Sequence, residues 1–421
     1  MAAIFSDPAR ARTFAVEVVD RLRRGGHETF WAGGCVRDDI LGRTPADYDV
    51  ATAAHPEVVR SLFGPRRTLA VGAAFGVITV LGPKGAGQVE VATFRADAPY
   101  TDGRHPAGVT FCSAREDALR RDFTINGLFL DPLSGEVHDF VNGRDDLAAG
   151  IVRAIGVPAM RFGEDHLRML RAVRFAAFFG FVLEPETRAA IERMARLVAG
   201  VSPERIAAEL RAMVSRPGRR RALELLADTG LAAVILPEFD PGPAGRSGGM
   251  VPAARIVDAL DEPDLPLALT IRAAGAPAVL PGDAARCRHS NPDAKAAACL
   301  PAAAAELGGL SAATLRDRPW SAVQPWLADA RAPRLADLLR ARAACGHGDP
   351  TAAAWVTAQL ARPAAEIDPP PLVSGDDLLA LGVSRGPAVG ILLQRIRRLQ
   401  LDGGIASRDE ALAIARAAAA D

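Results

Sequence analysis

Lysine is almost missing from this 421-residue chain. Of 50 basic residues only Lys84 and Lys295 are lysines, and the rest are arginine. A genomic base bias produces that pattern as readily as a need for guanidinium groups, so the arginine excess decides nothing alone. Aromatic residues are scarce at 5%, and alanine-rich helical stretches dominate the second half. No run approaches the ~20 apolar residues of a membrane span, and the N-terminus MAAIFSDPARARTF has no apolar signal core. No membrane partner is expected, and the cytoplasm is the expected compartment. The five cysteines (Cys35, Cys112, Cys287, Cys299, Cys345) are odd in number, scattered and never arranged as CxxC. That argues against a disulfide framework and fits a reducing compartment. Cys287, His289 and Cys299 lie close together, but C-x-H-x9-C matches no usual zinc spacing and reads as structural. No G-x-x-x-x-G-K-[ST] occurs, which excludes a P-loop, and the βαβ fingerprint of a dinucleotide fold is absent too. Neither sign of charge is in excess, at 50 basic and 50 acidic residues, so net charge proposes no polyanionic partner.

The distribution of charge says more than its total. Residues 1–150 carry 17 basic and 20 acidic side chains, whereas residues 151–250 carry 15 and 11. A basic middle beside an acidic start suits a polyanion crossing the molecule, although a solvated surface produces shifts of this size as well. The chain is too long for one ordinary core, and 49% hydrophobic with 24% charged residues reads as globular.

Local signals divide the chain. Ser6 and Asp7 as cap, Pro8 in the first turn and Gly25–Gly26 as stop announce a helix in which Phe14, Val18, Val19 and Leu22 recur at helical spacing. Short β-like runs follow at 29–32, 48–51, 77–81 and 89–94, the last two joined by a Gly/Pro turn over 82–87. From about residue 160 strand signals nearly vanish. Helical patterns run over 164–179, 185–198 and 203–214, and Gly/Pro-rich breaks at 237–253 and 275–283 divide the remainder. A proline run, 369–371, precedes a last helical unit at 372–420. There is no internal repeat. The expected fold is α+β: a head with a small mixed β-sheet (1–150), followed by all-α segments at 151–215, 216–368 and 369–421.

The strongest chemical signal is Gly33-Gly34-Cys35-Val36-Arg37-Asp38 followed by Asp47-Tyr48-Asp49. Two glycines after a strand let backbone N–H groups approach a phosphate at a helix start. Arg37 adds a guanidinium fork suited to phosphate oxygens. Asp47 and Asp49, two apart on an expected strand, point to one face. Paired carboxylates there can hold two Mg²⁺, one activating an attacking hydroxyl and one bracing a leaving pyrophosphate. Glu90 alternates with Val89 and Val91 and so faces away from them. It is either a third metal carboxylate or an ordinary exposed glutamate.

In these and four further motifs the chain resembles the class II tRNA nucleotidyltransferases, the CCA-adding enzyme group that also includes bacterial poly(A) polymerases. Gly33 to Asp49 is similar to the family's catalytic motif, and Arg120-Arg121-Asp122-Phe123-Thr124-Ile125-Asn126-Gly127 to its ribose-recognition motif. Asp139-x-x-x-Gly143-x-x-Asp146-Leu147 resembles the hinge motif, and Glu164-Asp165-His166-Leu167-Arg168-Met169-Leu170-Arg171 the base-templating motif. Ser202-Pro203-Glu204-Arg205-Ile206 resembles the final neck motif. The match is dense to residue 215 and weaker over 372–420. Gly127 replaces the family's usual alanine. No His-Asp phosphohydrolase motif is visible, so the extra phosphatase activity of some relatives is not expected.

The resemblance implies addition of C and A from CTP and ATP to the 3′ end of tRNA, with Mg²⁺ on Asp47 and Asp49. It divides the chain into head, base-recognising neck, body and tRNA-binding tail. Asp165 and Arg168, three apart on one expected helix, would read the base: arginine donates to N3 and O2 of cytosine or N1 of adenine, and aspartate accepts from the exocyclic amine. Uracil and guanine carry the opposite pattern. Arg171 and Arg174 continue that face toward the triphosphate or the base. Arg121 would contact phosphate and Asp122 the ribose 2′-hydroxyl. The segment 100–106 resembles the family's loop for switching from C to A addition, or is a plain turn. Two basic features are candidates for the RNA, or are solvated faces: Arg211, Arg216, Arg219, Arg220 and Arg221, and Arg385 with the helix carrying Arg395, Arg397 and Arg398. Sibling activities (poly(A) synthesis, or CC- or A-only addition) and a non-catalytic RNA-binding protein are the alternatives. No protein partner follows from the residues.

Overall fold

The structure, a computed structural model, describes residues 7–97, 109–236, 250–263, 303–304 and 306–420. The segment 100–106, most of the breaks expected near 237–253 and 275–283, and the Cys287/His289/Cys299 cluster lie outside the described residues. The chain divides into two compact units, Met1–Val251 and Pro252–Asp421.

The first unit opens with helix α1 (Pro8–Arg24), capped by Asp7, whose carboxylate accepts the Arg10 N–H at 3.1 Å. Phe14, Val18, Val19 and Leu22 are buried along one stripe, and Gly25 ends the helix. Then come β1 (Thr29–Ala32), α2 (Gly34–Ile40), β2 (Asp49–Thr52), α3 (Pro56–Phe63), β3 (Thr68–Leu69), β4 (Val77–Leu81) and β5 (Gln88–Thr93). A small ribbon pairs β6 (Arg95–Asp97) with β7 (Val109–Phe111), and α4 (Ala114–Leu119) begins with a reciprocal Ser113/Glu116 cap. Strands β8 (Leu128–Leu130) and β9 (Val137–Asp139) complete a seven-stranded sheet in the order β3-β4-β5-β2-β1-β8-β9. Only β2 and β5 run parallel; the other neighbours are antiparallel. The β4–β5 hairpin closes through the Gly82 N–H on Gly87 O at 2.9 Å, as the Gly/Pro turn predicts.

Helices α5 (Gly143–Ala149), α6 (Pro158–Glu164), α7 (Leu167–Phe179), α8 (Pro185–Met194), α9 (Pro203–Val214), α10 (Arg219–Asp228) and α11 (Leu231–Ile235) follow. The helix expected over 164–179 is in fact two helices. Asp165 is extended (φ −149°) and its carboxylate accepts the Leu167 N–H at 3.1 Å. An aspartate that satisfies a nearby backbone donor with its own side chain ends one helix and starts the next. The pattern at 185–198 likewise ends as α-helix at Met194 and continues as a 3₁₀ turn over Ala195–Gly200. Strands β10 (Ile151–Val152) and β11 (Val182–Leu183) pair in parallel. At two residues each they are too short to show a period-two pattern. Helix α7 is the spine of this part, with Met169, Leu170, Ala172, Val173 and Ala176 fully enclosed. At Gly127 the family's alanine would not fit unchanged: a Cβ there lies 2.7 Å from Val141 Cγ2, so that side chain fills the methyl's place.

The second unit is helical where it is described. Its last part packs Gly375–Ala380, Pro387–Leu401 and Arg408–Ala420 around Val373, Leu378, Leu392, Ile396, Ile405, Ala411 and Ala415.

Candidate active site

The acidic centre sits on the middle of the sheet. Asp49 is the first residue of β2 and stands level with Glu90 on parallel β5. Cross-strand partners in a parallel pair share a face, and Glu90 is exposed between the buried Val89 and Val91. Asp47 lies in the bend before β2 rather than on the strand. The crowding has an electrostatic signature. The Asp49 pKa is pushed up to about 7, first by burial among protein atoms and then by the charges of Asp47 and Glu90, with Arg121 opposing. Its outer face nevertheless keeps contact with solvent. Asp47 is also raised, by burial and by Asp38, against the pull of Arg37 and Arg216. Carboxylates held together against their own repulsion are a donor set that a divalent cation relieves. Among the described residues no three His, Cys, Asp or Glu side chains enclose a metal ion by themselves. Asp47, Asp49 and Glu90 are hard oxygen donors of the kind a divalent cation takes.

Gly33 ends β1 with φ +73° and ψ −124°, a backbone conformation open to glycine, and α2 starts at Gly34. A Cβ on Gly33 would lie 3.0 Å from Arg121 Nη1, so the glycine lets that guanidinium close on the turn. Arg121 spends Nε and Nη2 on the buried Asp117, at 3.2 and 2.9 Å, while Nη1 makes no hydrogen bond among the described residues. Arg37 differs from its sequence expectation as a phosphate fork. It is 7% exposed, its Nη1 donates to Asn126 Oδ1 at 2.6 Å, and its Nε and Nη2 donate to Asp38. Its guanidinium stacks 4.5 Å from the Phe179 ring centroid. In this arrangement Arg37 fastens α2 to α7.

Asp122 is occupied on every side. It accepts the Phe123 N–H at 2.8 Å, Asn126 Nδ2 at 3.0 Å, and Arg171 through Nε at 2.9 Å and Nη2 at 2.8 Å. Three of these contacts are hydrogen bonds and the Nη2 contact is an ion pair, so a ribose hydroxyl would compete with Arg171 and Asn126 for this carboxylate. Burial alone would raise the Asp122 pKa, but Arg171 and these hydrogen bonds hold it down to about 2. Arg174 donates to Glu209 on α9 at 2.6 Å. Arg171 and Arg174 are therefore aimed by acidic partners.

The base-reading candidates are held separately. Asp165 Oδ1 accepts Leu167 N–H and Arg205 Nη1, both at 3.1 Å, and Oδ2 accepts Arg205 Nη2 at 2.6 Å. Arg168 Nη1 donates to Arg161 O at 3.1 Å and to Glu164, and its backbone N–H donates to Asp165 O at 3.0 Å. Arg168 Nε and Nη2 have no hydrogen-bond partner among the described residues. Asp165 thus keeps one acceptor direction and Arg168 keeps outward donors. The i,i+3 ion pair that ordinary helix packing would give these two does not form.

In the second unit Arg385, Arg395 and Arg398 are exposed. Arg397 instead donates to Pro369 O at 2.6 Å and to Asp368 at 2.5 Å. The residues missed in the sequence are the partners: Asp117, Asn126, Glu164, Arg205 and Glu209. Asn126, Glu164 and Arg205 stand inside the family-like motifs; the i,i+4 spacing of Glu164 and Arg168 signals that pair, but nothing in the spacing of Asn126 or Arg205 shows which side chain each would meet.

The Poly A polymerase head domain matches residues 29–153, and the probable RNA and SrmB-binding site of polymerase A matches 180–242. The crystal structure of the Bacillus stearothermophilus CCA-adding enzyme in complex with CTP superposes with a TM-score of 0.73 at 30% identity, over 95% of both chains. The chain belongs to the CCA-adding enzyme family. In sequence, the CCA-adding enzyme of Geobacillus stearothermophilus is 42% identical over 233 residues, 55% of each chain. That of Anoxybacillus flavithermus is 43% identical over 226 residues, 53% of this chain and 55% of the relative. The alignment thus spans about half the length of these curated relatives. The CCA-adding enzyme of Thermotoga maritima complexed with tRNA shares the fold, with a TM-score of 0.64 at 18% identity over 98% of both chains. Among the described residues no helix is long and apolar enough to cross a membrane.

Proposed function

We propose that the chain adds C and A from CTP and ATP to the 3′ end of tRNA by two-metal nucleotidyl transfer. The observation that carries this reading is the donor–acceptor balance at the base-reading pair. Arg205 leaves Asp165 one lone pair for an exocyclic amine, and Glu164 with Arg161 O fixes Arg168 while its outward N–H groups remain for N3 of cytosine or N1 of adenine. Uracil and guanine offer an acceptor where Asp165 needs a donor, leaving buried groups unpaired at ~1–3 kcal/mol each.

Asp47 and Asp49 are the proposed metal ligands, with Glu90 as a third carboxylate beside Asp49. Two Mg²⁺ bound there would activate the 3′-hydroxyl and neutralise charge on the departing pyrophosphate. The turn at Gly33 and Gly34 and the inward Nη1 of Arg121 receive the triphosphate. Arg37 and Asp122 act by position, the first holding α2 and the second aiming Arg171. The division into head (1–150), neck (151–215), body (216–368) and tRNA-binding tail (369–421) goes with this reading, as does work in the cytoplasm.

The test is to incubate the protein with Mg²⁺, tRNA lacking its CCA end and each NTP singly and together, and to sequence the 3′ ends. C, C, A in order is the expected product. A run of A identifies a poly(A) polymerase, CC or A alone a partial enzyme, and no addition under any condition leaves an RNA-binding protein.

A further inference from the structure

Three arginines from separate stretches of the first unit converge on the last turn of α7. Arg37 in α2 lies over Phe179; Arg43, past the end of α2, lies 5.0 Å from the Phe179 centroid and 5.4 Å from that of Phe178. Arg216, in the turn between α9 and α10, lies 5.2 Å from Phe178. Arg37 is committed to Asp38 and Asn126. Arg43 and Arg216 are not: among the described residues neither side chain has a hydrogen bond or an ion pair.

Both are anchored from behind. The Arg43 N–H donates to Asp38 O at 2.8 Å. The Arg216 turn is pinned by Gly218, which has φ +83° and where a Cβ would lie 2.2 Å from Ala177 O, so only glycine lets the turn come this close to α7. A guanidinium laid on an aromatic face keeps its N–H groups in plane and directed outward, which is the geometry for gripping a phosphate. The charge of Arg216 also reaches Asp47.

We propose that Arg43 and Arg216 hold the phosphodiester of the last internucleotide linkage of the RNA primer, so that its 3′-hydroxyl faces Asp47. The inference rests on the nucleotidyl-transfer reading above and extends it to the second substrate. A phosphate of the incoming NTP is the other conceivable occupant, and distance along α2 argues against it. The triphosphate is assigned to the Gly33 end, whereas Arg43 lies beyond the other end, roughly 10 Å away for a helix of this length. In-line displacement needs attacking and leaving oxygens on opposite sides of the α-phosphorus, so the primer arrives opposite the pyrophosphate.

The experiment uses an RNA minihelix that ends just before the first C, and a second copy whose last linkage is an uncharged methylphosphonate. Binding is read by fluorescence anisotropy and C addition by gel, for wild type, Arg43→Ala, Arg216→Ala, the double variant, and the Arg43→Lys and Arg216→Lys forms. Each alanine should weaken minihelix binding about tenfold while the KM for CTP moves less than about twofold. The methylphosphonate should weaken wild-type binding comparably and cost the double variant nothing further. Lysine forms, which keep the charge and the fold, should bind with intermediate strength. A double variant that loses as much as wild type on the methylphosphonate RNA overturns the assignment. So does a rise in the KM for CTP with RNA affinity unchanged. Wild-type protein that adds no C to the minihelix defeats the underlying function; wild type that adds C beside indifferent variants defeats only this inference.

Discussion

Arg205 holds both oxygens of Asp165, at 3.1 and 2.6 Å, across 40 residues of sequence. The carboxylate that would read an exocyclic amine is therefore fixed in angle by a cation from α9. Arg205→Ala should lower discrimination against U without abolishing chemistry, and Asp165→Ala should do so more strongly. Loss of a charge-assisted hydrogen bond is worth roughly 1.5–3 kcal/mol, about ten- to a hundredfold in specificity. The measurement is kcat/KM for all four NTPs on tRNA ending before C and before A. An equal fall for all four in both variants would falsify base reading at Asp165.

Asp49→Ala or Asp47→Ala should abolish nucleotide addition while leaving RNA affinity close to wild type. A variant that keeps its rate removes that carboxylate from the metal site.

The raised pKa of Asp49 adds a pH dependence. Because its pKa of about 7 lies above the ordinary 3.8, the fold favours the neutral acid. Its contribution to metal-free stability is fully present below 3.8 and is lost as pH rises through about 7. Divalent cations need the carboxylate, so the concentration of Mg²⁺ for half-maximal rate should fall as pH rises from about 6 to about 8. Asp49→Asn should raise the metal-free Tm more at alkaline than at acid pH. A Tm difference that does not change with pH refutes the crowding argument.

Asp122 has the opposite sign. With its pKa held down to about 2, it contributes stability that is present above 3.8 and is lost as pH falls toward 2. Asp122→Asn should cost about 2 kcal/mol near neutrality and progressively less in acid. Chemical denaturation at neutral pH and near pH 3 decides it: a cost that is the same at both means the Arg171 pair does not govern the site.

In the second unit the tail arginines should separate into two kinds. Alanine at Arg395 and Arg398, both exposed, should reduce the salt slope of RNA binding by about 0.7–0.9 for each phosphate that is no longer neutralised. Arg397→Ala, which breaks bonds to Asp368 and Pro369 O, should mainly lower the stability of that unit. An unchanged slope after removing both Arg395 and Arg398 rules this helix out as an RNA-binding surface.

What the sequence by itself determined about this protein is what short-range rules reach. The Asp7 cap and Gly25 stop of α1, the Gly82–Gly87 hairpin turn, and Glu90 facing away from Val89 and Val91 all follow from neighbours within a few residues. The residue types of the acidic centre were legible for the same reason. The tertiary structure alone decided which charges meet. Arg37 finds Asn126 89 residues away because the sheet order sets β8 beside β1, and its guanidinium then points at protein rather than solvent. The break at Asp165 could not be read from helical periodicity, since the apolar pattern continues through it. A side-chain bond to Leu167 N–H outweighs the helix there, and Arg205 arriving from α9 completes the same carboxylate. Propensity and spacing contain no term for a partner brought in by the fold, and in this chain such partners, Asp122 and Glu209, aim Arg171 and Arg174.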